Sequence, residues 1–360
     1  PARTLAAPIT LDSAPDLAVL KAFSLIRLGV IGAGNISAGH VRRFLSMPAV
    51  EIVGLADPSE TSIAALRSKV DGLSTTQTYS QWQQLLEAAS PNAVLVATPH
   101  TLHHEHVMGA LDANAHVLCE KPLAHSPELA SEIAEHAAKK SRHVVVSFQR
   151  RFSPGYRYMR TQLAGGKLGD VTHIQATQAQ EWLLTTTGTW RQSMALGGGG
   201  QLSDSGSHLM DMLLWTTGLR VTEVDARTRE YGKEVEVDGA ATLLFDNGSI
   251  GTLSIIGSGH TFWERLTVTA KHGSVRGDWA ASGGTEVISQ ETAATTGEAL
   301  TTYEVADLPE GTHPDNHFLA VINGEAVNES PPEESVHLLQ VIEAIRRSAA
   351  SGTREHISNA

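Results

Sequence analysis

At 360 residues the chain has room for two domains, and 41% hydrophobic, 18% charged and 5% aromatic residues is an ordinary globular composition, which excludes disorder, coiled coil and collagen. Twenty-seven Lys and Arg against 39 Asp and Glu leave a formal charge of -12, so nucleic acid is not an expected partner. The single cysteine, Cys119, excludes an intramolecular disulfide and a cysteine-based zinc site, while the 17 histidines stand out and raise the question of metal.

Residues 1–24 read as an N-terminal arm, with Pro8 and Pro15, either draped over the first domain or frayed. They lack the basic start and apolar core of a secretory signal, and no apolar run reaches the roughly 18 residues of a membrane span, so the expectation is a cytoplasmic protein with no membrane partner. From 25 to 148, short apolar runs (LIRLGVIG, EIVGLAD, NAVLVAT, HVLCE, HVVVSF) alternate with helical-period segments. That alternation predicts an α/β domain with a parallel sheet covered by helices on both faces. One helix is expected to stop at Ala113 with Asn114 left-handed, and another to start on Ser126 as N-cap with Pro127 at N1 and run to Lys140. After 149 the texture changes to period-2 strands joined by turns such as DNG and KHG. Residues 149–360 are therefore expected to form an α+β domain with a large open, mostly antiparallel sheet. It would serve substrate binding and oligomerisation, its exposed face suiting a homodimer or homotetramer. One helix is expected around Asp204–Thr217. A C-terminal helix ending at Gly352 is expected to pack back on the first domain, with Arg346 and Arg347 as ordinary helix-end cations.

The first strand runs into Gly32-Ala33-Gly34-Asn35-Ile36-Ser37. Gly32 permits a tight turn, Gly34 lets backbone approach a pyrophosphate, and the next helix offers N–H donors and a positive dipole end. Ser37 is a small substitute for a third glycine. Alone, such a turn is compatible with a plain strand-to-helix connection. Asp57, about 20 residues on, adds a carboxylate suited to a ribose 2′-hydroxyl, and Pro58 rather than a basic residue follows it, which favours NAD over NADP. The strand at HVLCE ends in Cys119-Glu120-Lys121-Pro122, and carboxyl ends of parallel strands are where ligands bind. Asp204, His208 and Asp211 are spaced to share one helical face. By itself that pattern also suits an N-cap aspartate and a core histidine.

GVIGAGNISAGH (29–40), ATPHTLHHEHV (97–107), HVLCEKPLA (116–124), FQRRFSPGY (148–156) and GGGGQLSDSGSHLMD (197–211) jointly resemble the glucose–fructose oxidoreductase / inositol dehydrogenase family, in the family's order. Ser37, His100 and Asn114 depart from its usual residues. The resemblance implies a Rossmann domain followed by an open-sheet domain, with the substrate between them. It implies that Lys121, Asp204 and His208 are catalytic. His208 would take the hydroxyl proton, Lys121 would stabilise charge on that oxygen, and Asp204 would orient the hydroxyl and offset the lysine. Gly32, Gly34, Asn35, Ile36, Asp57, Thr98, Pro99, His100, His103, Glu120 and Lys121 are the expected NAD-binding residues, and Gly197–Gly200 would let backbone pass close to cofactor or sugar. On the substrate side stand Gln149, Arg151, Trp190, Arg191 and His260, Arg151 having a domain-interface ion pair as its alternative. His313, Asp315 and His317 lack a third-ligand spacing and read as solvated loop residues, so no metal is expected.

The expected activity is NAD-dependent oxidation of a secondary hydroxyl of a cyclitol or sugar. The alternatives are an NADP-preferring keto-sugar reductase, an oxidoreductase with tightly held cofactor, and a non-catalytic dinucleotide-binding sensor. A non-sugar substrate also remains open.

Overall fold

The computed structural model describes residues 25–166, 168–280, 285–291, 301–303, 308 and 310–357. The expected arm at 1–24 lies outside the described residues. Six strands, β1 (Ile26–Ile31), β2 (Val50–Ala56), β3 (Thr78–Tyr79), β4 (Ala93–Val96), β5 (His116–Cys119) and β6 (Val144–Val146), form a parallel sheet in the order β3-β2-β1-β4-β5-β6. Helices α1 (Asn35–Leu45), α2 (Glu60–Lys69), α3 (Trp82–Ala89), α4 (His103–Asp112) and α5 (Pro127–Lys140) connect them. Period-2 geometry sends Val94 and Val96 into one apolar cluster and Ala93 and Leu95 into another on the opposite face. Both faces of the sheet are thus covered, as continuous apolar strands require. The helix ends follow their caps. Asn114 is left-handed at φ 65°, and Ser126 Oγ accepts from Leu129 N at 3.4 Å.

Beyond β6 come α6 (Pro154–Ala164), β7 (Val171–Ala179), the single-turn helices α7 (Trp182–Thr185) and α8 (Met194–Gly197), and α9 (Gly206–Thr217). Strands β8 (Val221–Arg229), β9 (Asp238–Phe245), β10 (Ile250–Ile256), β11 (Trp263–Ala270), β12 (Gly273–Ala280), β13 (Thr285–Glu291) and β14 (Thr301–Tyr303) follow, then α10 (Pro314–Ile322), α11 (Pro332–Ser351) and β15 (Glu355–His356). Among the described residues the second sheet has nine strands, ordered β14-β13-β12-β11-β7-β10-β9-β8-β15. It is antiparallel except where β7 lies parallel to β10, so the expected fold class is borne out. Leu266 and Val268 of β11 face inward while Arg265 and Thr269 face out. The inner face joins the first sheet's core, because residues of α9 and α11 belong to the same apolar cluster as β4, β5 and α5. The two sheets therefore share a core wall, and the loops at the carboxyl ends of β4 and β5 meet the turn before α9.

Candidate active site

Gly32 has φ +97°, and a Cβ there would stand 2.5 Å from the Ala97 carbonyl oxygen, so glycine is required. Gly34 is the N-cap of α1, supplies no side-chain cap, and has open space where a Cβ would lie. The first N–H groups of α1 are thus left to an outside acceptor, which is what a pyrophosphate needs. Ser37 does more than save space. It is buried, and its Oγ donates to Gly32 O at 2.7 Å, tying helix to turn. Asp57 follows β2; its Oδ2 accepts from Ala33 N and its Oδ1 from Ser59 N, both at 2.8 Å, which places the carboxylate beside the glycine turn. Asn35 Oδ1 accepts from Lys69 Nζ at 2.7 Å, and Ile36 is 48% exposed at the helix start. These residues fit a dinucleotide.

The turns after β4 and β5 are tied by His103, which is fully buried with Nδ1 2.7 Å from Pro122 O and Nε2 2.9 Å from Thr98 O. Burial pushes its pKa down, and a neutral ring donates only one of those two bonds. Thr98 Oγ1 lies 2.9 Å from His106 Nδ1. Pro99 opens the 3-10 turn that carries His100. His100 packs edge-on against Trp190, with Nδ1 3.2 Å from Gly197 O, and burial drives its pKa down to about 3, so it is neutral. Glu120, the residue before Lys121, is buried, and the Lys121–Pro122 bond is cis.

Lys121 Nζ donates to Asp204 O at 3.0 Å and Asp204 Oδ1 at 3.2 Å. Asp204 Oδ2 accepts from Trp182 Nε1 at 2.8 Å and faces Arg191 Nε at 3.1 Å. Burial raises the Asp204 pKa, but Lys121, Arg191 and the Trp182 bond outweigh it and hold the carboxyl far below its usual range. His208 is buried, its Nδ1 has no hydrogen-bond partner, and burial reinforced by the charges of Lys121 and Arg150 holds its pKa well below the usual value. The site therefore pairs an ionised Asp204 with Lys121 and keeps His208 neutral.

Several expectations change. Asp204 precedes α9, in the turn before Gly206, so Asp204, His208 and Asp211 do not share one helical face. Asp211 instead pairs with Arg151 through both carboxylate oxygens, and Arg151 also meets Glu334 and Glu329 O. Arg151 is buried at 2% exposure in that ion network, so it does not line the substrate side. Gln149 is exposed, as is His260 on the β10–β11 connection. Trp190 and Arg191 do lie at the crevice, Arg191 stacked on the Trp190 ring at 4.5 Å. The glycine run at 197–200 serves internal packing. A Cβ on Gly198 would meet His125 Cβ at 2.4 Å, on Gly199 Arg346 Nη2 at 1.7 Å, and on Gly200 Glu236 O at 1.8 Å. Asp315 and His317 are buried, not solvated. Cys119 is buried and burial pushes its thiol pKa up, as suits a strand residue. Among the described residues no group of three His, Cys, Asp or Glu side chains could hold a metal, and no helix is long and apolar enough to cross a membrane.

Two networks were missed. His40 links Glu120 to Asp315, and Arg43 Nε meets Asp315 at 2.5 Å. Arg346, from α11, donates through Nη2 to Ser203 Oγ at 2.6 Å and to Glu236 Oε1 at 2.8 Å, next to Asp204 in sequence; it is not an ordinary helix-end cation. Only the glycine run hinted at the second, since residues without side chains leave room for one arriving from elsewhere. A hollow lined by Arg157, Arg160, Trp215 and Glu329 lies at the opposite end of α9 from His208.

Residues 26–148 match the family profile described as "Oxidoreductase family, NAD-binding Rossmann fold", and residues 156–276 match the GFO/IDH/MocA C-terminal domain. The chain is 27% identical over 348 residues to D-glucoside 3-dehydrogenase of Escherichia coli K12, covering 92% of this chain and 97% of the relative. It is 28% identical over 204 residues to inositol 2-dehydrogenase of Corynebacterium glutamicum, covering 56% and 57%. Its fold matches the WlbA dehydrogenase of Bordetella pertussis, solved with NADH and UDP-GlcNAcA, at TM-score 0.78 and 21% identity, covering 93% of this chain and 99% of that one. The chain belongs to the GFO/IDH/MocA oxidoreductase family, with an NAD-binding Rossmann fold.

Proposed function

We propose that the protein is an NAD-dependent dehydrogenase that oxidises a secondary hydroxyl of a sugar or cyclitol. The observation that carries this reading is the Lys121–Asp204 pair, 3.2 Å apart, beside a neutral His208 with an unpartnered ring nitrogen. Gly32, Gly34, Asn35 and Ile36 would receive the pyrophosphate at α1, Asp57 the adenosine ribose, and Thr98, Pro99, His100, His103, Glu120 and Lys121 the nicotinamide half. A nicotinamide held there would supply the acceptor for the hydride of the carbinol carbon. His208 is neutral, so it is in the state that takes a proton from the hydroxyl. Lys121 holds negative charge on that oxygen, and Asp204, with both carboxylate oxygens engaged, acts on Lys121 as counter-ion rather than on the substrate. Trp190 and Arg191 supply a flat face and a cation at the crevice. Asp57, whose carboxylate a 2′-phosphate would face, supports NAD over NADP. The exposed face of the nine-stranded sheet supports a homodimer or homotetramer.

The test is a screen for reduced cofactor across inositols, hexoses and anhydrosugars, each with NAD and with NADP. NADH formation with at least one polyol is expected. Turnover with NADP alone would select the NADP-preferring reading, and no turnover with any polyol and either cofactor would return the protein to the sensor class.

A further inference from the structure

His40 sits in the interior of α1, six residues beyond Gly34, yet its partners lie on other elements. Nε2 is 2.8 Å from Glu120 Oε1, at the end of β5, and Nδ1 is 2.6 Å from Asp315 Oδ1, in the first turn of α10. Carboxylates only accept, and a neutral imidazole donates only once, so both contacts are satisfied together only by the imidazolium. The groups facing His40 are Glu120, Asp315 and Arg43, whose Nη2 lies 3.2 Å from Nδ1. Along the chain Glu120, His40, Asp315, Arg43 the charges alternate and cancel. His40 is 2% exposed, Asp315 0% and Glu120 7%, so the network is dry except at Arg43. The two carboxylates hold the His40 pKa up at about 9 against burial, and His40 in turn holds Glu120 down at about 2.

Such a network is a poor way merely to glue a helix to a sheet, because apolar packing of the same volume would stabilise as well or better. What it adds is directional registry between two particular points. One is α1, whose N-terminus faces the open space beside Gly34. The other is the residue preceding Lys121. We propose that His40, clamped by Asp315, is a positioning residue that fixes Glu120 relative to α1 and so couples dinucleotide affinity to the alignment of Lys121. The catalytic half of this statement rests on the dehydrogenase reading above; the affinity half rests only on dinucleotide binding.

The test is a double-mutant cycle of His40→Asn and Glu120→Gln, with Asp315→Asn as the isosteric companion. NADH Kd is read by fluorescence titration and kcat on whichever polyol the screen identifies. Each single variant is expected to weaken NADH binding and lower kcat, each by about 5-fold or more, and the double variant is expected to be no worse than the poorer single, since contacting residues on one path couple. A folded His40→Asn protein with a lowered Tm but unchanged Kd and kcat, or strictly multiplicative losses in the double variant, would overturn the proposal. If His40→Asn does not fold, the cycle is run with Asp315→Asn against Glu120→Gln, and the same two outcomes decide. If the screen finds no substrate, the Kd cycle alone decides, which separates failure of this proposal from failure of the dehydrogenase reading.

Discussion

Lys121 and His208 carry opposite duties on one oxygen, a cation to hold its charge and a neutral ring to take its proton. Lys121→Ala and His208→Ala are each expected to lower kcat by ~10²–10⁴-fold, the usual worth of a positioned acid–base group, with NADH Kd nearly unchanged in His208→Ala and weakened in Lys121→Ala, which also loses a nicotinamide-side contact. Full activity in either variant would remove that residue from the mechanism. Arg151 is the contrasting case, because its bidentate pair with Asp211 is buried and lies outside the crevice. Arg151→Met leaves Asp211 uncompensated and is expected to cost about 3–5 kcal/mol of stability, measured by urea unfolding, while the KM of the folded protein stays put. A raised KM at unchanged stability would restore it to the substrate side. These three positions also show what could be read from residues alone. Lys121 and His208 sit in short motifs that keep their expected places, just after β5 and in the first turn of α9, while Asp204 lies in the turn before that helix rather than on it. Gln149, Arg150 and Arg151 are adjacent, yet a 3-10 turn exposes the first and buries the other two, and Arg151's partner is 60 positions away. No local pattern distinguishes those outcomes.

Among elements, the glycine run and α11 form one device. Gly199, at φ +155°, leaves a gap through which the Arg346 guanidinium reaches Ser203 and Glu236. Gly199→Ala places a Cβ in that gap, so Arg346 must leave. Arg346→Met leaves the nearly buried Glu236 without its cation. Each is expected to cost about 1–3 kcal/mol, the worth of hydrogen bonds to a charged group, and the two together no more than the larger one. Chemical denaturation of the two singles and the double checks this, and additive losses would mean that the glycine serves something else. The strands from β1 to β12 other than β3, the start of α1, the end of α4 and both ends of α5 were legible from period and caps, because backbone geometry responds to local chemistry, while β3 and β13–β15 were not read. The exit from the turn at 201–205 into α9 was not. Asp204 looks like a helix residue by spacing, but its carbonyl and carboxylate are spent on Lys121, and the helix starts two residues later. The 197–200 glycines do mark a place of close approach, but to the protein's own atoms rather than the cofactor or sugar expected of them. The neighbours are His125, a side chain from α11 and the backbone of the β8–β9 loop, which only the tertiary fold brings there.

For the whole molecule, the histidines divide by burial. His100, with a pKa near 3, and His106 and His337, both about 4, are kept neutral chiefly by burial, and burial also lowers His103 and His208. A histidine whose folded pKa lies below its unfolded ~6.5 contributes stability in full above pH ~6.5, and that contribution is lost as pH falls toward 4. His40, raised to about 9, behaves oppositely: its contribution is complete below ~6.5 and is lost between there and about 9. The urea midpoint is therefore expected to peak near pH 6.5 and fall on both sides. His40→Asn should flatten the alkaline limb and leave the acid limb in place; an unchanged alkaline limb would show that His40 is not the group responsible. The same network has a consequence in time. Asp315 is 275 positions from His40, and Arg346 is 143 from Ser203, so each network around residues 120 and 204 is closed by a partner synthesised long after the residues it holds. On the ribosome the nucleotide-binding sheet can pair its strands early, but Glu120 and the 198–204 turn await ion partners still inside the exit tunnel. A nascent chain halted before residue 315 would thus present the glycine turn and the lysine strand without the registry between them, so competence to bind dinucleotide is expected to emerge late in translation.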